Sequence, residues 1–193
     1  MAEREFSPSR LEAISDGVIA VAITIMVLEL HAPHQASPAA LLALWPAFAA
    51  YVVSFTFIAS YWVNHRYLFR HLREVDERVV WTNMVLLFML SLIPLSTAYV
   101  GATDVAPFPT AVYAAVMLVA GLVYGALAAA VRAQYAPDER PPAMGRRPLL
   151  INTGAAVTYT LAIPAAYLSP ALSLAMNFAV SLVYMTRWAR PGA

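Results

Sequence analysis

The sequence predicts an all-α membrane protein of six transmembrane helices with both termini on the cytoplasmic side. Three observations carry this reading. The 193 residues are 61% hydrophobic and only 12% charged, with a mean hydropathy of +0.66, which excludes an ordinary soluble domain and a disordered chain alike. Long apolar runs without charge recur along the whole chain. The basic residues, all arginines, fall only in the head, the tail and alternate connections of a six-span reading, where short cytoplasmic loops carry the positive excess.

Taken in order, a single domain over 1–193 holds helices expected at about 9–30, 39–64, 79–100, 109–132, 149–168 and 170–188. The first starts at Ser7-Pro8-Ser9, a cap followed by proline in the first turn. Its core, Val18 to Leu28, is apolar apart from Thr24 and shorter than the roughly 20 residues a lipid-facing span needs. Ser15 and Asp16 stand just before it, so this helix is expected to be surrounded by protein. A signal peptide would have the same apolar length, but Glu3, Glu5, Glu12 and Asp16 spoil the basic leader it requires.

His31 to Pro38 is a short external turn without a basic residue, and Ala39 to Trp62 then runs uncharged. Aromatic residues and arginines between Ser60 and Arg73 mark a membrane interface. The third span tolerates Pro94 as a kink. The fourth ends at Arg132 and carries Gly121-x-x-x-Gly125, a spacing that suits close helix approach. From Leu149 to Thr186 no residue is charged, and at a rise of 1.5 Å that run would give about 57 Å of helix, nearly twice a hydrocarbon core of about 30 Å. It is therefore two spans, broken at Ser169-Pro170. Arg4 and Arg10, then Arg66, Arg70, Arg73 and Arg78, then Arg132, Arg140, Arg146 and Arg147, then Arg187 and Arg190 all lie on one side of this topology. Trp45, Trp62, Trp81 and Trp188 sit near span ends and read as interface anchors.

Several function classes are excluded or disfavoured. A net charge of +1 gives no basic surface for nucleic acid. The absence of cysteine excludes disulfides and thiolate metal sites. A membrane enzyme needs a convergent catalytic set, and Asp16 with His65 supplies neither a nucleophile nor metal-ligand spacing. A secondary transporter of a small cation or solute remains the alternative; it is expected to show inverted repeats and broken helices, of which only Pro94 and Pro164 give a hint.

On the first helix, steps of about 100° per residue place Val21, Thr24, Ile25 and Leu28 on one stripe, with Ser15 and Asp16 well away from Val21. Arg10, Ser15, Asp16 and Gly17 followed by Thr24, together with Trp62, Asn64, His65 and Phe69 in W-x-N-H-x-x-x-F spacing, resemble the transmembrane protein 175 family of lysosomal and endosomal potassium channels in its short prokaryotic form. The chain departs from that family at Ile14, where phenylalanine is usual, and at Val21, where a bulkier aliphatic residue is usual.

The resemblance implies a homotetramer in a prokaryotic cell (plasma) membrane, with helix 1 lining a central pore for K+ and other monovalent cations. It implies weak to moderate K+ over Na+ selectivity and no cofactor beyond the permeating K+. Val21 would form the hydrophobic constriction, with Thr24, Ile25 and Leu28 as further rings. The chain has no T-V-G-Y-G run to build a carbonyl filter. Arg10, Ser15, Asp16, Gly17, Trp62, Asn64 and His65 would form a structural or gating network, because an intramembrane acid needs partners. Glu29 would either stand at the external pore mouth and concentrate cations or be an interfacial, solvated acid. The plainer readings are core or lipid-facing packing for the stripe and a hydroxyl bonded one turn back for Thr24.

Overall fold

A computed structural model describes residues 7–141 and 144–186. Arg4, Arg187, Trp188 and Arg190, assigned above to the head and tail, lie outside the described residues. Among the described residues all regular structure is helical, in the order α1 Pro8–Leu28, α2 Pro38–Leu42, α3 Trp45–Phe69, α4 Glu77–Ser91, α5 Ile93–Ala102, α6 Pro107–Arg132, α7 Arg146–Leu168 and α8 Pro170–Met185. Five rods are long and apolar enough to cross a membrane, α4 and α5 counting together as Glu77–Ala102, and α8 is a shorter apolar helix.

Proline placement explains most boundaries. Pro8, Pro38, Pro46, Pro94, Pro107 and Pro170 each occupy the first turn of a helix, where the missing N–H would have had no partner. Side chains of Ser7, Ser37, Asp76 and Ser169 cap α1, α2, α4 and α8 by accepting from an N–H in the first turn. The expectation of one helix over 39–64 is revised on the same ground. A separate turn, α2, precedes a break at Ala43 and Leu44, and α3 starts at Trp45 because Pro46 cannot continue a helix already begun. At its far end α3 runs on to Phe69, since His65, Leu68 and Phe69 are buried. Trp62 therefore lies within the helix instead of at a span end. Pro94 splits the third span at Leu92, and Pro164 is held inside α7.

The helices pack around α3, which buries residues along its whole length, from Pro46 and Ala50 through Phe57 to Phe69. α1 lies against α3 and the α4–α5 rod, and α6 against α4, α7 and α8. Close approach is greatest where α5 crosses α3, with a Cβ built at Gly101 standing 3.0 Å from Ala47 Cβ. α5 ends in a left-handed turn, Asp104 at φ 48° and Val105 at φ 58°. The Val105 N–H closes this turn on the Val100 carbonyl at 3.0 Å, and its side chain packs on the core.

The loops after α3 and α6 are tied to each other. Gln134 accepts from the N–H groups of Arg73 and Glu74 at 3.1 and 3.2 Å and donates to the Glu74 carbonyl at 2.8 Å. Arg73 pairs with Glu139 at 3.0 Å and lies over the Tyr135 ring at 4.0 Å, and the hydrogen bond it donates to the Glu139 carboxylate raises the guanidinium pKa above its ordinary value. Both arginine-bearing connections thus meet at one end of the bundle, the end at which α1 begins.

Candidate functional site

α1 is two-faced. Leu11, Ser15, Ile19, Ala22 and Met26 are buried, a stripe at helical spacing that fixes the helix to its own chain. On the opposite side Ile14, Val21, Ile25 and Leu28 are 51%, 55%, 41% and 73% exposed. Thr24 and Gly17 share this open side, and nothing lies within 4 Å of a Cβ built at Gly17. The stripe Val21, Thr24, Ile25 and Leu28 is therefore contiguous, apolar but for one hydroxyl, and unpacked within the chain.

The Thr24 hydroxyl is satisfied locally. Its Oγ1 donates to the carbonyls of Ala20 and Val21 at 3.1 and 3.0 Å, the usual habit of a mid-helix threonine. With its proton shared between these carbonyls, the hydroxyl oxygen is left as an acceptor. At the end of α1, Glu29 is exposed and forms the C-cap. Its carbonyl accepts from His31 Nδ1 at 2.9 Å, so that nitrogen carries the proton. Helix carbonyls and a carboxylate therefore gather negative charge at one mouth of the stripe.

The polar residues near the start of α1 divide into two separate sets. On the buried side, Ser15 donates to the Leu11 carbonyl at 2.7 Å, Asn83 Nδ2 donates to Ser15 Oγ at 2.9 Å, and His65 Nε2 lies 2.8 Å from Asn83 Oδ1. An amide oxygen only accepts, so His65 Nε2 is the donor. Its Nδ1 has no partner, and the ring stacks on Phe69 at 4.0 Å. On the outer side, Trp62 Nε1 donates to Asp16 Oδ1 at 2.8 Å, and one turn along Arg66 pairs with Glu12 at 3.5 Å. The Arg66 guanidinium lies 5.4 Å from the Trp62 ring centroid. Two acids four residues apart on α1 thus meet two partners four residues apart on α3.

The single network expected from the sequence is therefore revised. Ser15 and His65 are brought together through Asn83, and Asp16 is joined to Trp62. Asn64 turns away from both sets, donating to the Ser60 carbonyl at 2.6 Å and approaching the Tyr184 carbonyl at 3.5 Å. Arg10 is exposed and enters none of these contacts. Asn83 escaped the sequence reading because an asparagine in an apolar run has no motif around it; its only signal was being uncharged but polar within a span. The buried hydroxyls Ser54, Thr97 and Tyr113, joined at 2.6 and 2.8 Å, were missed for the same reason.

Comparison with known proteins gives the lineage. The family described as endosomal/lysosomal potassium channel TMEM175 matches residues 10–94, which run from the first turn of α1 through α4. A potassium channel of Chryseobacterium sp. (strain P1-3) is 44% identical over 115 residues, 60% of each chain. A potassium channel of Streptomyces collinus is 34% identical over 185 residues, 91% of this chain and 90% of that one. The crystal structure of a lysosomal potassium-selective channel TMEM175 homolog from Chamaesiphon minutus superimposes with a TM-score of 0.82 at 27% identity, covering 94% of this chain and 97% of that one. With its several membrane-length apolar helices and its likeness over nine-tenths of its length to the Streptomyces protein and the Chamaesiphon structure, the chain is a multi-pass membrane protein and belongs to the TMEM175 potassium-channel family.

Proposed function

We propose that the chain forms a potassium-permeable cation channel, conducting passively along the open face of α1 in a homotetramer. One observation carries this: Val21, Thr24, Ile25 and Leu28 form an exposed stripe on a helix whose other face is fully packed, in a chain whose relatives are named potassium channels. A membrane helix with one locked face and one free face needs something other than its own chain on the free side. Copies of the same helix around an axis supply it, and one chain alone cannot enclose a path.

In such a pore Val21 forms the narrowest ring. An aliphatic ring gates by excluding water, because a partly dehydrated ion finds no replacement ligand there. The lone pairs of Thr24 replace part of the hydration shell one turn further on. Selectivity then follows which ion is cheaper to dehydrate, and it is modest, K+ over Na+. Permeating ions are the only ligands this mechanism uses, no cofactor enters it, and no bond is made or broken. The arginine-bearing loops support a reading with both termini in the cytoplasm of a prokaryote and the protein in its plasma membrane, which makes the Glu29 mouth external.

A coupled transporter is the rival reading, favoured only by the interruption of the third span at Leu92. Potassium flux from liposomes, with a sodium gradient alongside, separates the two. Passive K+ movement, slower Na+ movement and block of both by Val21→Trp are expected. Saturable, gradient-coupled transport that survives Val21→Trp would overturn the channel.

A further inference from the structure

A cavity of about 500 Å³ opens between α3, α6, α7 and α8, away from the open face of α1. Its wall runs along α6 from Gly121 to Arg132 and along α7 from Gly145 to Ala156. Eleven residues of helix at 1.5 Å each give a depth of about 16 Å, close to half of a hydrocarbon core of about 30 Å. The α6 side of the wall, from Gly121 to Ala129, is apolar apart from Tyr124, and at Gly125 nothing lies within 4 Å of a built Cβ. The outer end lies at the arginine-bearing end of the bundle, where Arg132 and His71 line it. His71 Nε2 is buried without a partner. There too α7 begins, with no side chain capping its first N–H groups. No lining residue is acidic. Leu122 and Leu149, which line it, are 54% and 53% exposed, so the cavity opens sideways on an apolar flank of the bundle.

We propose that this cavity holds an anionic membrane phospholipid, one acyl chain lying along Gly121, Gly125 and Ala129 and the phosphate at Arg132. Three features select this occupant. The depth is that of one leaflet. The charge at the mouth is positive and without a competing carboxylate, with a helix N-terminus that favours an anion. The lateral opening admits a molecule from the bilayer instead of one from water. The free wall at Gly125 comes from the missing side chain, and on the α7 side Asn152 accepts from the Tyr184 hydroxyl.

Native mass spectrometry of the delipidated 193-residue protein, titrated with phosphatidylglycerol and with phosphatidylcholine, tests this without reference to conduction. Phosphatidylglycerol is expected to be retained about tenfold more tightly, the size of one charge-assisted contact. Gly125→Leu, whose Cβ enters open space, is expected to lose the bound lipid while melting no lower than wild type and keeping its oligomer mass. Arg132→Gln is expected to keep lipid and lose the headgroup preference. Equal retention of the two lipids by the wild-type protein, or unchanged retention in Gly125→Leu, would overturn the proposal. A change of oligomer mass in Gly125→Leu would show a second copy in the cavity and overturn it too.

Discussion

Asn83 reaches from α4 to hydrogen-bond Ser15 of α1 at 2.9 Å, and its other amide atom meets His65 of α3 at 2.8 Å. One buried side chain therefore ties three helices and sets the rotation of α1, which decides the face left open. Asn83→Leu leaves the Ser15 oxygen and the His65 N–H without this partner, at about 1–3 kcal/mol for each buried group. In a melting experiment in detergent the midpoint is expected to fall by roughly 5–15 °C. Ser15→Ala strands only one amide proton and is expected to cost about a third of that. Equal midpoints for the two variants would show that the asparagine is not the junction.

Trp62 and Arg66 brace the same helix from its outer side. Trp62→Phe keeps the ring but removes the donor to Asp16, a hydrogen bond to a charged acceptor worth about 1.5–3 kcal/mol when buried. Asp16 is partly exposed, so water offsets part of the loss and about 1 kcal/mol is expected. Asp16→Asn keeps an acceptor for the indole and is expected to melt within about 2 °C of wild type. If Trp62→Phe alters flux without altering the melt, the contact acts in opening more than in holding the fold.

Thr24 and Glu29 give opposite salt signatures. In the proposed pore, Thr24→Val keeps shape and removes the hydroxyl oxygen, so K+ flux is expected to drop about three- to tenfold at any salt, the size of one hydrogen-bond-like contact. Thr24→Ser is expected to stay within about twofold of wild type. Glu29→Gln acts at a distance from the constriction, and its effect depends on a Debye length of about 10 Å at 0.1 M and about 3 Å at 1 M salt. Single-channel conductance is expected to fall in 0.1 M KCl and to match wild type in 1 M KCl. A Glu29→Gln deficit that persists at high salt would mean the carboxylate contacts the ion directly.

The spans were legible because each is a long apolar run bounded by arginine, proline or a serine cap, all of which act locally. The stripe of α1 was legible as a period, since Val21, Thr24, Ile25 and Leu28 share a face whatever surrounds the helix. The partners of the polar residues were not. Which α4 residue faces Ser15 depends on how two helices are rotated against each other, and no local pattern encodes that. The second span was placed too early because α2 and α3 are equally apolar, and only Pro46 marks the break between them.

The glycines show the same limit and offer a sharp contrast. The spacing of Gly121 and Gly125 suggested close helix packing, yet a Cβ at Gly121 meets only Tyr61 and Tyr159 at 3.5–3.7 Å, ordinary contact, and one at Gly125 meets nothing. The tight approach is at Gly101, which has no glycine at the same spacing: a Cβ there stands 3.0 Å from Ala47 Cβ and 3.1 Å from Ala47 Cα. Backbone cannot yield as a flexible side chain does, so α5 must move away from α3. Gly101→Ala is expected to lower stability by about 1–3 kcal/mol, as overpacking does. Gly125→Ala adds helix propensity with no clash and is expected to raise it by about 0.5–1 kcal/mol. Thermal midpoints of the two variants on the same detergent-solubilised protein check this, and a stabilised Gly101→Ala would show that α3 and α5 are not in contact at Ala47.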